Sequence, residues 1–304
     1  MDGSRRWTYA EFHGWVSRLA RGLSSRGYSR GDALGLASGN SAEFLAVYYA
    51  CARLGLVCVP VNLGWRPDEV AYVLSHSRSR GLVVESQLLP ALRDAIAKAA
   101  DVTDVFVAPG TALDSTGPAY EAEPADRSWA TLAEVASTGA LSTDASDVEV
   151  FVDDRDALSY LYTSGTTSFP KGVVASHAAV YMESMSAALD SQWSSSDRFA
   201  AMMPMFHTAQ LNAFCTPAIL VGATTYVLRG LDPAALLDLI ESQQITRVFG
   251  LPKVEDSAVN TALWPAVMPE HGCWAADRAR DDRRSKASER PAGAGAARAV
   301  IAGL

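Results

Sequence analysis

Cysteine is scarce and scattered along the chain. The four cysteines, Cys51, Cys58, Cys215 and Cys273, form no C-x-x-C pair and have no histidine at metal-ligand spacing. A disulfide framework and a structural zinc site are therefore not expected, and a reducing cytoplasm is the expected compartment. No uninterrupted apolar run approaches the roughly 18 residues needed to span a bilayer. The first six residues lead into Trp7-Thr8-Tyr9 without the apolar stretch of a signal peptide. Positive charge is in deficit, with 26 Lys+Arg against 34 Asp+Glu and a net charge of −8. A general nucleic-acid binder needs a basic footprint to neutralise phosphates, so that class is set aside. One small anionic ligand held by a few local donors is not excluded by this balance. What the chain does have is apolar mass: 49% hydrophobic residues against 20% charged suits a globular protein. Its 304 residues suffice for one large domain or two ordinary ones.

Helix and strand signals alternate along the first hundred residues. Thr8 and Glu11 form a capping box, and Phe12, Trp15, Val16, Leu19 and Leu23 follow at helical spacing up to Gly27. A short apolar run over 33–37 predicts a strand, and Asn40 with Glu43 predicts the cap of a second helix ending near Leu54. Residues 56–61 read as a buried strand, 67 onward as a helix, 82–84 as a strand, 88–100 as a helix and 104–108 as a strand. This rhythm predicts an α/β fold with a mostly parallel, helix-covered sheet. Residues 109–155, rich in Gly, Pro, Ser, Thr and acids, read as a long surface connection with a short helix over Trp129–Val135. Order returns with strands at 157–162 and 172–175, a helix over 177–189, a strand at 198–203 and a helix over 211–220. A strand at 224–228, a helix over 233–243 and a strand at 246–251 complete the series. Beyond about Lys253 no period connects with what precedes it. Residues 277–290 are mostly charged and 291–303 mostly small. The expected division is a domain over 1–254 and an unrelated, disordered tail over 255–304, of the kind a shifted reading frame would produce.

The strongest chemical signal is Tyr162-Thr163-Ser164-Gly165-Thr166-Thr167-Ser168-Phe169-Pro170-Lys171-Gly172, set between two apolar strands. Glycines let backbone amides approach phosphate oxygens, hydroxyls add donors, and Lys171 supplies a mobile charge. A polar hairpin loop without a ligand is the plain alternative. Three other enzyme motifs fail here. From Gly165 a Walker loop would need Gly and Ser/Thr where Pro170 and Gly172 stand. Ser168 and Lys171 match an S-x-x-K string, but its K-T-G and S-D-N partners are missing from the sequence. Gly27-Tyr28-Ser29-Arg30-Gly31 has the G-x-S-x-G form but follows a helix and precedes a strand, the reverse of a nucleophile elbow.

The phosphate string closely resembles the signature loop of the AMP-forming acyl-adenylate synthetases, which include acyl-CoA synthetases, luciferases and peptide-synthetase adenylation domains. The resemblance runs from Trp7 to about Pro252. Thr8-Tyr9 with Glu11, Ala50 to Asn62, Pro204-Met205-Phe206-His207 and Arg247-Val248-Phe249-Gly250-Leu251-Pro252 look like further family motifs in family order. Ser168 departs from the family's usual glycine. The resemblance implies a layered αβαβα large N-terminal domain and binding of ATP with Mg²⁺. Thr163, Ser164, Gly165, Thr166, Thr167 and Lys171 would contact the phosphates, and Thr163 would also ligate the metal. His207 would sit beside the reacting carboxylate, with Lys171 as the other catalytic group, and Leu211 or Phe214 would wall the acyl pocket. A histidine satisfied by backbone remains open for His207, and plain core for the Leu211–Phe214 pair.

In the implied reaction a carboxylic or fatty acid attacks the α-phosphorus of ATP, giving acyl-adenylate and pyrophosphate. The thiol of CoA then displaces AMP, and fatty-acyl or medium-chain acyl-CoA synthetases are the branch most resembled. The string Y-G-x-T-E, the downstream ribose-binding aspartate motif and a lysine-bearing C-terminal domain are missing from this sequence. The expectation is the front portion of such a ligase, inactive on its own. A non-catalytic ATP- or acyl-binding remnant is the alternative. Chain length of the acid and oligomeric state stay open.

Overall fold

The computed structural model describes residues 1–110, 127–140, 150–163 and 169–250, and the backbone of 298–300. The chain divides into two compact units, one comprising 6–183 with 205–208 and the other 1–5, 184–204 and 209–304.

The larger unit bears out the strand–helix alternation. It runs α1 (Tyr9–Ser25), β1 (Ala33–Ala37), α2 (Ala42–Leu54), β2 (Val57–Pro60), α3 (Pro67–His76), β3 (Ser79–Glu85), α4 (Leu89–Lys98) and β4 (Asp104–Ala108). It continues with β5 (Ser128–Thr131), α5 (Leu132–Ala140), β6 (Ala157–Thr163), β7 (Lys171–Ser176) and the start of α6 (His177–Asp190). The strands form one sheet in the order β5-β4-β3-β1-β2-β6-β7. All pairs are parallel except the β6–β7 hairpin. The run β2-β1-β3-β4-β5 is the doubly wound 2-1-3-4-5 order, whose connections diverge between β1 and β3. β1, β2 and β4 are buried along their whole length, as strands covered on both faces must be. Helix α2 buries residues on nearly every side, Phe44, Tyr48 and Leu54 among them. Each such side chain contributes about 1.5–3 kcal/mol by leaving water.

The helix ends follow local chemistry. Thr8 caps α1 by accepting the Glu11 amide, and the Glu11 carboxylate returns to the Thr8 amide at 2.7 Å. Thr8→Ala is expected to cost about 1 kcal/mol, measurable as a shift of the denaturation midpoint with unchanged slope. Gly55 ends α2 in the left-handed conformation, at φ +67. The cap of α2 needs correction, because Ser41 accepts the Phe44 amide at 3.0 Å and Asn40 does not cap.

A second correction concerns 109–155. Residues 111–126 and 141–149 lie outside the described residues, but the part between them is built into the sheet. Trp129 opens no helix: it lies in β5 and pairs with Val105 of β4, and α5 starts only after Thr131, which forms a capping box with Glu134. Helix α5 lies against α1 with Gly22 and Gly139 at the contact. A Cβ on either glycine would come within about 2 Å of a carbonyl oxygen of the facing helix.

The smaller unit holds the end of α6, β8 (Arg198–Ala201), all but the first residue of α7 (Thr208–Gln210), α8 (Thr216–Leu220), β9 (Thr224–Val227), α9 (Pro233–Gln243), β10 (Arg247–Phe249) and β11 (Arg298–Val300). These strands form a parallel sheet in the order β11-β10-β8-β9. The sequence shows no strand signal at 298–300, yet these three residues pair with β10. Apart from that strand, residues 251–304 lie outside the described residues. In this unit Met202, Tyr226, Leu236, Ile245 and Val248 pack between the sheet and α9. Among the described residues no helix is long and apolar enough to cross a membrane.

Candidate functional site

The β6–β7 hairpin frames the hydroxyl-rich segment. Its register places Tyr162 opposite Gly172 and Thr163 opposite Lys171. Directly opposed residues project from the same face with Cβ atoms about 5 Å apart. Thr163 and Lys171 are both exposed, at the two points where the chain leaves and re-enters the hairpin. Ser164, Gly165, Thr166, Thr167 and Ser168 lie outside the described residues.

Below this pair the hairpin is braced by α3. His76 Nδ1 is 2.7 Å from the Tyr162 hydroxyl, and Tyr72 stacks on both His76 and Phe169, with ring centroids 5.2 and 4.6 Å apart. A Cβ at Gly172 would stand 3.0 Å from the Tyr162 ring, so glycine there lets β7 lie close on it. Burial, with Tyr72 and Tyr160 nearby, pushes the Tyr162 phenol up to about 12. The spacing of Tyr72 and His76 by one helical turn is the only sequence signal for this brace. His76 serves packing here.

His207 belongs to the same unit, on the segment Met205–Thr208. Its ring packs beside Phe206, with centroids 4.7 Å apart, and part of the residue is exposed. Partial burial holds its pKa below the ordinary 6.5, so the neutral imidazole dominates near pH 7. The Met205 amide donates to Asn40 Oδ1 at 2.8 Å, a link that sequence reading did not foresee. Elsewhere in the unit, burial also depresses the pKa of His177, whose Nε2 is buried with no hydrogen-bond partner among the described residues.

Leu211 and Phe214 lie in the smaller unit, in a wider π-type turn over Leu211–Cys215 between α7 and α8. Such turns are frequent at functional sites. Both side chains are buried, and Phe214 stacks on Phe199 and on Phe249, at 6.0 and 4.3 Å. Gln210 braces the same turn by accepting the Met203 amide at 2.9 Å. Arg247, read by resemblance on a pocket-lining strand, is only 2% exposed. It meets Asp197 at 3.0 Å, donates to the carbonyls of Ser191 and Gln192, and lies over the Trp193 ring. Its role is to tie β10 to the turn before β8.

Among the described residues, no group of three or more His, Cys, Asp or Glu side chains could hold a metal ion. Mg²⁺ typically uses few protein ligands and arrives with substrate phosphates, so the exposed Thr163 hydroxyl beside Lys171 fits an ion carried by a nucleotide. A resident metal centre has no counterpart among these side chains.

Comparison with known proteins agrees with this arrangement. The long-chain-fatty-acid–CoA ligase of Thermus thermophilus is 35% identical over 259 residues, covering 82% of this chain and 43% of that protein. The long-chain-fatty-acid–CoA ligase FadD13 of Mycobacterium tuberculosis is 34% identical over 249 residues, covering 82% and 45%. The chain thus spans less than half the length of these relatives. In three dimensions it is similar to the inhibitor-bound N-terminal domain of FACL13 from Mycobacterium tuberculosis, with a TM-score of 0.69 and 27% identity. That match covers 86% of this chain and 62% of the other. The doubly wound sheet, the hydroxyl-rich hairpin and a family match over residues 1–285 coincide, and the chain belongs to the AMP-binding enzyme family.

Proposed function

We propose that this chain carries the phosphate- and carboxylate-binding part of an AMP-forming acyl-CoA ligase acting on fatty or medium-chain acids with ATP and CoA. The observation that carries the reading is the Thr163–Lys171 cross-strand pair at the mouth of the hydroxyl-rich segment. Thr163 and Lys171, with Ser164, Gly165, Thr166 and Thr167, bind the triphosphate, and Thr163 holds Mg²⁺ carried by the nucleotide. The ion's part is to neutralise charge on the phosphates. Lys171 adds a cation at the departing pyrophosphate, where positioned charge is usually the largest catalytic contribution. A neutral His207 orients the acid's carboxylate without adding a competing charge, and the family resemblance assigns Leu211 and Phe214 to the acyl chain. Fatty-acid ligases among the relatives support the substrate class. Buried free thiols at Cys51, Cys58 and Cys215 support a reducing cytoplasm.

Residues 1–304 span less than half the length of these relatives and hold no Y-G-x-T-E or ribose-binding string, so a second reading is that these residues taken alone bind without turning over. Residues 1–304 are expected to bind ATP–Mg²⁺ in a calorimetric titration and to show negligible pyrophosphate exchange or thioester formation with a panel of fatty acids and CoA. Turnover near one per second, a modest enzymatic rate, would make those strings dispensable. No binding at all would remove both readings.

A further inference from the structure

In doubly wound sheets the crevice beyond the strand ends, where connections diverge, commonly takes a ligand. Here that point, between β1 and β3, is filled by the chain itself. Glu85, at the end of β3, accepts the Gly39 amide at 2.9 Å and the Ser38 hydroxyl at 3.3 Å. Ser38 and Ser41 hydroxyls lie 3.3 Å apart. Ser38, Asn40, Ser41 and Glu85 are each no more than 3% exposed. This braced turn presents the Asn40 carboxamide to a segment 165 residues away, where it accepts the amide of the fully buried Met205. Met205 is followed directly by Phe206 and His207.

We infer that Asn40 is the positioning residue for His207, holding the Met205–Thr208 segment on the turn between β1 and α2. Ser41 already caps α2, so the α2 cap does not require the Asn40 side chain. A buried amide needs an acceptor, and Asn40 supplies one from a turn that Glu85 keeps rigid. The anchored residue is two positions from the histidine ring, so the hydrogen bond limits where that ring stands. The inference rests on the proposed placing of His207 at the acyl carboxylate, and its test separates the two.

The first arm makes no use of function. In isotopically labelled Asn40→Ala protein, the Met205 amide is expected to exchange at least about ten-fold faster while the Phe44 amide, capped by Ser41, stays protected. The His207 ring is expected to titrate closer to 6.5 than in the wild type. Unchanged Met205 exchange or unchanged His207 titration would overturn the inference. Asn40→Asp keeps an oxygen acceptor in place and is expected to retain wild-type Met205 protection. Loss of that protection in Asn40→Asp would overturn the inference, and this variant carries the test should Asn40→Ala not fold.

The second arm measures affinity for dodecanoyl sulfamoyl-adenosine, a hydrolysis-resistant acyl-adenylate analogue. Asn40→Ala and His207→Ala should each weaken binding about ten-fold, and the double variant should bind no worse than His207→Ala, because coupled residues are not additive. Additive losses would show that Asn40 acts other than through His207. If the wild-type chain binds no analogue, the acyl-site reading fails and the exchange arm alone decides the positioning.

Discussion

Replacing Asp197 by alanine is expected to lower the unfolding free energy of the smaller unit by about 3–5 kcal/mol. Arg247 is only 2% exposed, and Asp197, 3.0 Å away, is its counter-charge. Without it the guanidinium keeps the Ser191 and Gln192 carbonyls and the Trp193 ring, but its net charge stays buried and uncompensated. The same carboxylate also accepts from the Ser194 amide and the Thr246 hydroxyl, both at 2.8 Å, so without it the Thr246 hydroxyl keeps only the longer contact to the Arg198 carbonyl, at 3.4 Å. Urea denaturation followed at Trp193, which packs against Phe199, reads the unit directly. A loss under about 1 kcal/mol would reduce the pair to the level of an exposed ion pair. Acid should act in the same direction. Burial pushes the Asp197 pKa up, but the adjacent Arg247 guanidinium, with hydrogen bonds from Thr246 and Ser194, outweighs it and holds the pKa below the ordinary 3.8. A depressed carboxylate stabilises the fold fully above 3.8, and that contribution fades as pH falls through the lower folded value. The wild type should therefore lose more stability below about pH 4 than the variant does.

Lys171→Ala is expected to weaken ATP–Mg²⁺ binding roughly ten- to hundred-fold while leaving the fold intact. Lys171 is exposed at the start of β7, opposite an equally exposed Thr163, so its removal opens no cavity. A charge-assisted hydrogen bond contributes about 1.5–3 kcal/mol, which sets the size of the loss. Calorimetric titration of wild type and variant, with melting curves as a control for folding, separates the two effects. Equal affinities would detach the hydroxyl-rich hairpin from nucleotide binding and with it the proposed function. A lowered melting temperature with unchanged affinity would mean that Lys171 serves the hairpin instead.

Much of the larger unit was legible because its signals are local. A capping box at Thr8 and Glu11 starts α1, the apolar runs at 33–37 and 104–108 are strands, and Gly55 ends α2. The G-x-S-x-G string at Gly27 could be dismissed from its neighbours, and it does lie between a helix and a strand. Errors arose where a distant partner decided the outcome. Trp129 sits in a stretch with helical character, but hydrogen bonds offered by β4 make it a strand residue. Asn40 and Ser41 are both good helix caps, and only the Met205 amide, arriving from far along the chain, assigns Asn40 elsewhere. The six residues of the resembled motif at 247–252 do not announce that the first of them, Arg247, is a buried anchor, because Asp197 and Trp193 lie some fifty positions earlier.

For the candidate site the division is similar. Sequence alone determined the residue types at the phosphate string, the order of the family motifs and the alternation that makes the fold α/β, since composition, spacing and cap chemistry are written over a few neighbouring positions. Tertiary structure decided that Thr163 and Lys171 face each other across a hairpin, that α3 braces it through Tyr72 and His76, and that Met205 hangs His207 from the turn after β1. The physical reason is that strand register and buried hydrogen bonds join groups far apart in the chain, and which donor meets which acceptor is fixed only when the sheet closes around them.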